Sequence, residues 1–279
     1  MTFLDFAASY GLILNNASPD GRWHRCPTRD HTKKRNGAWK WLGDVGFVQN
    51  WAEMDAVAVW KADGSTERID RKEWAKRKEK DRQQERMRHA WASQEAQRLI
   101  KVCERLPHPY LAAKGFPASL GLVHPSGDLI IPMRDAKAYG RINTAQRIAA
   151  DGAKLFLPGG KAKGSVFVIA RGARERWLCE GYATGLSLQA ALIDLRRPAE
   201  IWVCFSAGNL QYVATLIKRP AFVAADNDAS KTGQRAAEAT GLPWVMPMLA
   251  GTDFNDEHQQ LGIRHVVDQI RDLTLASVS

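Results

Sequence analysis

Between Trp177 and Met248, short apolar runs alternate with segments of helical period, and this alternation restricts the possible fold more than any other feature of the chain. Trp177-Leu178-Cys179 reads as a buried strand. Tyr182 to Leu195 carries apolar residues on a period of about 3.6, as a helix does. Ile201 to Phe205 reads as the next strand, followed by a helix around Leu210 to Ile217 and a strand from Ala221 to Ala225. A helix from Lys231 to Thr240 and a strand from Trp244 to Met248 complete the series. Strands alternating with helices in this way predict an α/β layer, a mostly parallel sheet flanked by helices.

In such sheets ligands sit beyond the carboxyl ends of the strands. That rule gives weight to the acidic residues, because each follows directly on an expected strand. Glu180 follows the first in Cys179-Glu180-Gly181-Tyr182, Asp226 and Asp228 follow the third, and Asp253 and Asp256 come just after the fourth. Five carboxylates would then gather along one sheet edge. Unpaired negative charges packed together repel, and a hard divalent cation such as Mg²⁺ relieves that repulsion through carboxylate oxygens and water. Two such ions can hold the attacking and leaving oxygens of a phosphoryl transfer. A single Asp after a strand is as well explained as the N-cap of the next helix, and Asp228, before Ala229 to Ala237, suits both roles. The ordered set is more specific than any member of it.

The charge distribution points the same way. The chain carries a net +10, and residues 1–164 hold 29 basic against 18 acidic side chains, whereas residues 165–279 hold 11 against 12. A basic front attracts phosphates and an acidic centre holds cations. Four segments are expected: a Trp-rich, β-containing N-terminal module over 1–70, a charged helical connector over 71–106, a basic α+β subdomain over 107–170 and a catalytic α/β domain over 171–279. In the first, Phe3, Phe6, Ala7 and Tyr10 share a helical face. Turn signals at Pro19-Asp20-Gly21, Asn36-Gly37 and Asp63-Gly64 then punctuate a small antiparallel sheet containing Trp23, Trp39, Trp41, Trp51 and Trp60. Tryptophans interleaved with Arg25, Arg29, Lys33, Lys34 and Arg35 suit either a sheet core or the stacking of bases along a single strand. In the third segment, Leu129 to Met133 and Ile142 to Ile148 read as strands.

The acidic set carries a family resemblance. Glu180-Gly181, Asp226-Asn227-Asp228 and Asp253 resemble the Glu, the DxD and the later acidic position of Toprim domains, which occur in bacterial-type primases, topoisomerases and some nucleases. The run from Cys179 to Gly185 and the segment Asp253-Phe254-Asn255-Asp256 are similar to phage and plasmid primases. So are His108-Pro109-Tyr110-Leu111-Ala112-Ala113-Lys114-Gly115, Ile131-Pro132-Met133-Arg134-Asp135 and the run from Asp151 to Gly160. The resemblance spans about His108 to Gly262 and implies a primase making short RNA primers on single-stranded DNA from ribonucleoside triphosphates. It implies Glu180 as general base or metal-proximal carboxylate, and Asp226 and Asp228 as the principal ligands of Mg²⁺ or Mn²⁺. Asp253 and Asp256 would complete a two-ion site. Arg134, Arg147, Lys154, Lys161 and Lys163 would line the nucleotide and template channel. Ala183 and Thr184 stand where replicative bacterial primases commonly carry an acidic residue, and here the chain follows the plasmid-like branch.

Several other expectations follow. Cys26, Cys103, Cys179 and Cys204 lack paired spacing, and His24, Cys26 and His31 lack CxxC spacing, so neither disulfides nor zinc are expected. No apolar stretch approaches the length of a membrane span and no signal peptide is recognisable, so no membrane partner and a cytoplasmic place in a bacterial host cell are expected. The absence of a GxxxxGK[ST] loop makes a separately encoded replicative helicase the expected partner. The alternatives are a Toprim nuclease, which would use the same carboxylates to cut phosphodiesters, and an inactive Toprim module that coats single-stranded DNA.

Overall fold

The computed structural model describes residues 1–54, 56–62, 71–218 and 220–276. They divide into two compact units, Met1–Arg77 and Lys78–Ser279. The turn expected at Asp63-Gly64 lies outside the described residues.

In the first unit, helix α1 (Phe3–Ser9) starts at a capping box in which Thr2 and Asp5 satisfy each other's backbone N–H groups. Four strands follow, β1 (His24–Cys26), β2 (Gly37–Trp41), β3 (Val45–Asn50) and β4 (Ala58–Lys61), paired antiparallel in chain order. Phe3 of α1 stacks on Trp41, with ring centroids 5.1 Å apart, and packs against Trp39 and Trp60. The helix lies so close to the sheet that a Cβ on Gly46 would meet the Phe3 ring at 2.2 Å. Trp39, Trp41 and Trp60 therefore belong to a core with Leu12, Cys26 and Val48. Trp23 and Trp51 are about half exposed, at 52% and 49%, and the Arg25 guanidinium lies 3.9 Å from the Trp51 ring centre. Trp39, Trp41 and Trp60 thus take the core role, while Trp23 and Trp51 stay at the surface of the unit.

Helix α2 (Arg71–Lys101) is the long charged helix expected from composition, although it ends before the expected Leu106. Its last turn gives way to β5 (Glu104–Leu106), which pairs antiparallel with β6 (Gly121–Val123) across α3 (Pro109–Ala113). Strands β7 (Leu129–Asp135), β8 (Ile142–Ile148), β9 (Lys154–Phe156) and β10 (Ser165–Ile169) continue the antiparallel pairing. The alternating region then supplies β11 (Glu175–Cys179), α4 (Tyr182–Asp194), β12 (Ala199–Val203), α5 (Ala207–Ala214), β13 (Ala221–Ala224), α6 (Thr232–Glu238) and β14 (Trp244–Val245). Two further helices, α7 (Phe254–Leu261) and α8 (Ile263–Ala276), end the described chain.

All ten strands from β5 to β14 form one sheet, with the path β14-β13-β11-β12-β10-β7-β6-β5 and with β8 and β9 branching from β7. The pairs β11 with β12, β11 with β13 and β13 with β14 are parallel, as the alternation requires. Between the parallel and antiparallel halves stands β10, antiparallel to both β12 and β7. Helices α4, α7 and α8 cover one face of the parallel half around Trp177, Leu188, Ile201 and Val266, and α5 and α6 cover the other around Leu178, Trp202 and Val223. The fold is thus a mixed α/β sheet with helices on both faces of its parallel part.

Trp177 is fully buried, stacks on Phe222 at 4.9 Å, and donates its indole N–H to Glu175, which also pairs with Arg197. Trp177→Ala is expected to lower the unfolding free energy by about 3–5 kcal/mol. Trp91→Ala, on the exposed face of α2, is expected to change it by less than about 0.5 kcal/mol. Urea unfolding followed by far-UV circular dichroism checks both.

Candidate active site

The parallel strands β11 and β13 are hydrogen-bonded neighbours, so the residues that leave their carboxyl ends emerge side by side. Glu180 leaves β11 at the point where the strand ladder closes. Cys204 donates its N–H to the Cys179 carbonyl at 2.8 Å, and Phe205 donates to the Glu180 carbonyl at 2.9 Å. Phe205 adopts a positive φ of 68°, an uncommon conformation for a bulky residue, and this bend directs the chain into α5. The Ala207 N–H, at the start of α5, then donates to the Glu180 carboxylate. Burial nevertheless pushes the Glu180 pKa above its ordinary value, and the Asp228 charge adds to that effect.

Asp226 leaves the end of β13 on the same edge. One of its carboxylate oxygens, Oδ1, is buried with no hydrogen-bond partner, and among the described residues Asp226 makes no ion pair. Its pKa is raised from 3.8 to about 7, first by burial and then by the charges of Glu180, Asp253 and Asp228, with Lys154 acting in the opposite direction. Asn227 ties this loop to the next one. Its N–H donates to the Thr252 carbonyl at 3.0 Å, its side-chain amide donates to the Pro247 carbonyl at 2.9 Å, and Gly251 donates back to it. These bonds bring Asp253 within electrostatic range of Asp226.

Asp228 is held differently. Burial acts to raise its pKa, but donors from Ser230 Oγ and from the N–H groups of Gly233 (2.9 Å) and Thr232 (3.3 Å) outweigh it and keep the group below its ordinary value. Asp228 is not the N-cap weighed from sequence, since α6 starts at Thr232 with Lys231 as its N-cap, but its carboxylate accepts the N–H groups of the first two helical residues, which favours its ionised form. Helix α6 docks directly against the acidic loop, since a Cβ on Gly233 would lie 2.4 Å from the Asp226 carbonyl oxygen.

Asp253 is the N-cap of α7, accepting the N–H groups of Asn255 (2.7 Å) and Asp256 (2.9 Å). Asp256 completes the capping box by accepting the Asp253 N–H at 3.2 Å, and it lies 3.5 Å from the Lys114 ammonium. The Asn255 amide reaches the Lys114 carbonyl at 2.9 Å and Ser187 Oγ at 3.1 Å, which ties α3 and α4 to this corner. Tyr110 of α3 joins the same corner. Its hydroxyl is buried without a partner, and burial together with the charges of Asp253, Tyr182 and Asp256 pushes its pKa well up. Sequence reasoning named Tyr110 and Lys114 only as parts of a motif. The signal that places them here is the run from His108 to Gly115, whose function depends on a contact about 140 residues away in sequence.

The five basic candidates do not act together. The Lys154 ammonium lies 5.7 Å from the Tyr110 ring centre and lowers the Asp226 pKa, so it belongs with the carboxylates. Arg147 forms a two-nitrogen ion pair with Asp128. Arg134 lies 5.5 Å from the Tyr139 ring centre and contacts the carbonyls of Tyr139 and Gly140 at 3.5 Å. Lys161 is 3.5 Å from Asp135, and Lys163 lies over the Tyr212 ring at 4.7 Å. Lys161, Lys137 and Arg141 border a separate groove of about 330 Å³ that also holds Asp135 and Tyr212. Among the described residues no three acidic, histidine or cysteine groups converge closely enough to hold an ion unaided.

A raised carboxylate pKa has a definite consequence for stability. The folded chain binds the Asp226 proton more tightly than the unfolded chain, so stability falls as pH rises from 3.8 through about 7. In chelator-treated protein at pH 8, Asp226→Asn is therefore expected to be more stable than the parent by on the order of 2–4 kcal/mol, with the difference shrinking towards pH 4. Urea unfolding at a series of pH values checks this, and a difference independent of pH would refute it. Gly233→Ala should cost about 1–3 kcal/mol in thermal unfolding, because the helix must move off the Asp226 backbone.

Residues 175–264 match the Toprim domain family. Over 167 residues the chain is 28% identical to DNA primase TraC of Escherichia coli, an alignment that covers 52% of this chain and 11% of that protein. The chain thus spans only a small part of the length of this relative. Among solved structures, the primase fragment of the bacteriophage T7 primase-helicase protein covers 51% of this chain and 62% of its own, at 15% identity and a TM-score of 0.39. The DnaG catalytic core covers 52% of this chain and 52% of its own, at 14% identity and a TM-score of 0.36. The stretch that matches the Toprim domain, residues 175–264, is the one that holds Glu180, Asp226, Asp228, Asp253 and Asp256, in a chain similar in sequence to a DNA primase.

Proposed function

We propose that this chain synthesises short RNA primers on single-stranded DNA by metal-dependent nucleotidyl transfer. The observation that carries the reading is Asp226, a buried carboxylate with an unpartnered oxygen, set among Glu180, Asp253 and Asp228 at the carboxyl edge of the parallel strands. Folding has concentrated negative charge where the chain itself supplies no ion pair to Asp226, and a cation from solution would relieve the repulsion. The donor set consists of oxygens alone, which suits Mg²⁺ or Mn²⁺.

In this reading Asp226 and Asp228 are the principal ligands, with Glu180, Asp253 and Asp256 around a two-ion site. When bound, the ions supply stabilisation of the charge that develops on the transferring phosphoryl group. The remaining work belongs to the chain. Asp228 stays ionised because its hydrogen bonds favour the charged form. Glu180, whose pKa is raised, takes the proton of the attacking 3′-hydroxyl as that oxygen bonds to the α-phosphorus of a ribonucleoside triphosphate and pyrophosphate departs. Lys154 offsets triphosphate charge beside Asp226. Arg134, Arg147, Lys161 and Lys163 lie on the antiparallel half or its loops and would track the template strand. A separately encoded helicase would supply single-stranded template.

The test is incubation of the purified chain with single-stranded DNA, labelled ribonucleotides and Mg²⁺ or Mn²⁺, with products resolved by length. Short labelled oligonucleotides are expected, and the Asp226→Ala, Asp228→Ala double variant is expected to lose at least about 10²-fold of that activity. Cleaved DNA without labelled product would replace the primase reading with a nuclease.

A further inference from the structure

A second depression lies at the opposite end of the parallel strands. It is about 620 Å³ and is bordered by the loop before β11 and by the turn between α4 and β12. Residues near the starts of β11 and β12 border it, whereas Glu180 and Phe205 follow the ends of these strands. Five paired residues separate the two ends, which at about 3.3 Å per residue puts the depression on the order of 15 Å from the carboxylates.

Its floor is apolar, formed by Leu192, Pro198, Ala199 and Ile201. Ile193 stands at the border with 68% of its surface exposed, in a helix whose other apolar residues are mostly buried. The charged residues that line it are all arginines: Arg171, Arg196 and Arg197. Arg197 is paired with Glu175, and the Arg171 guanidinium lies over the Tyr139 ring at 4.4 Å. Arg196 is exposed and sits at the turn with a φ of 52°, so the backbone there is held in the left-handed region. Among the described residues no carboxylate lines the depression itself, and of its three guanidinium groups Arg197 alone has an ion pair, with Glu175 just outside it. A greasy floor under a cationic rim is complementary to an acidic segment that carries an apolar anchor.

We propose that this depression is a docking site for an acidic peptide segment of a partner protein, with one large apolar side chain seated between Ile193 and Ile201 and its carboxylates facing Arg171 and Arg196. The site is separate from the acidic edge, so docking leaves the carboxylates free. It would tether the chain to a partner while the Toprim edge works. Nucleic acid would satisfy the arginines but would place its phosphates over an apolar floor, which is why an acidic peptide is the favoured occupant.

Fluorescence anisotropy tests the idea with the full chain and a labelled acidic peptide containing a single Phe, beside the same peptide with Ser in place of Phe. Binding of the Phe peptide at physiological salt is expected, weakened at least about 10-fold by Phe removal, by Ile193→Asp and by Arg196→Glu. Both protein variants change exposed residues, and an unchanged thermal midpoint and unchanged primer synthesis show that they remain folded. Equal binding of the two peptides, no binding of either, or indifference to both substitutions would overturn the proposal. Displacement of the peptide by a short single-stranded oligonucleotide, with oligonucleotide binding lost in Arg196→Glu, would reassign the site to nucleic acid. Because the readout is binding, failure of the primase reading would leave this result intact.

Discussion

The acidic edge is a problem of electrostatic repulsion that the rest of the larger unit is built to contain. Three strands in parallel register deliver Glu180 and Asp226 to neighbouring positions, and the Asn227 bonds bring Asp253 to the same place. Charges so placed favour a state in which one of them is protonated, and Asp226 is the one that gives way. Only a scaffold with independent sources of stability can hold such a group. The two apolar layers on either face of the parallel strands supply that stability, with Trp177 on one side and Leu178 on the other.

The carboxylates are also held in contrasting ways. Asp228, Asp253 and Asp256 each accept backbone N–H groups, so helix starts fix their geometry, and for Asp228 these bonds also favour the charged form. Asp226 Oδ1 has no such partner, and Glu180 is supported by the Ala207 N–H. The site thus joins carboxylates held in place by helix starts to two, Glu180 and Asp226, whose charged form burial disfavours. Lys154 and Tyr110 enter from the antiparallel half, Lys154 beside Asp226 and Tyr110 beside Asp253 and Asp256.

The legible parts of this molecule were those with local signatures. The strand and helix alternation from Trp177 onwards, the order of the acidic residues and the aromatic face of α1 are all written within a few residues of where they act. The helices α7 and α8 were not read in advance, although Asp253 and Asp256 form a capping box, because the acidic motif there suggested ligands before it suggested a helix start. The end of α2 was misplaced because the pairing of Leu106 with Gly121 is a tertiary contact that overrides helical propensity. The same limit applies to the basic residues. Sequence groups Arg134, Arg147, Lys154, Lys161 and Lys163 by type, and only the fold separates Lys154 beside Asp226 from Lys161 beside Asp135.

The position of β10 bears on how such a chain can be inherited. Because Ser165–Ile169 is laced to β7 on one side and to β12 on the other, the acidic and basic halves share a strand that neither can spare. A recombination event that joined the acidic half to a foreign basic half at this strand would have to match two registers at once. A crossover outside the sheet, such as one in α2, leaves both registers intact and keeps the carboxylates together with Tyr110 and Lys154.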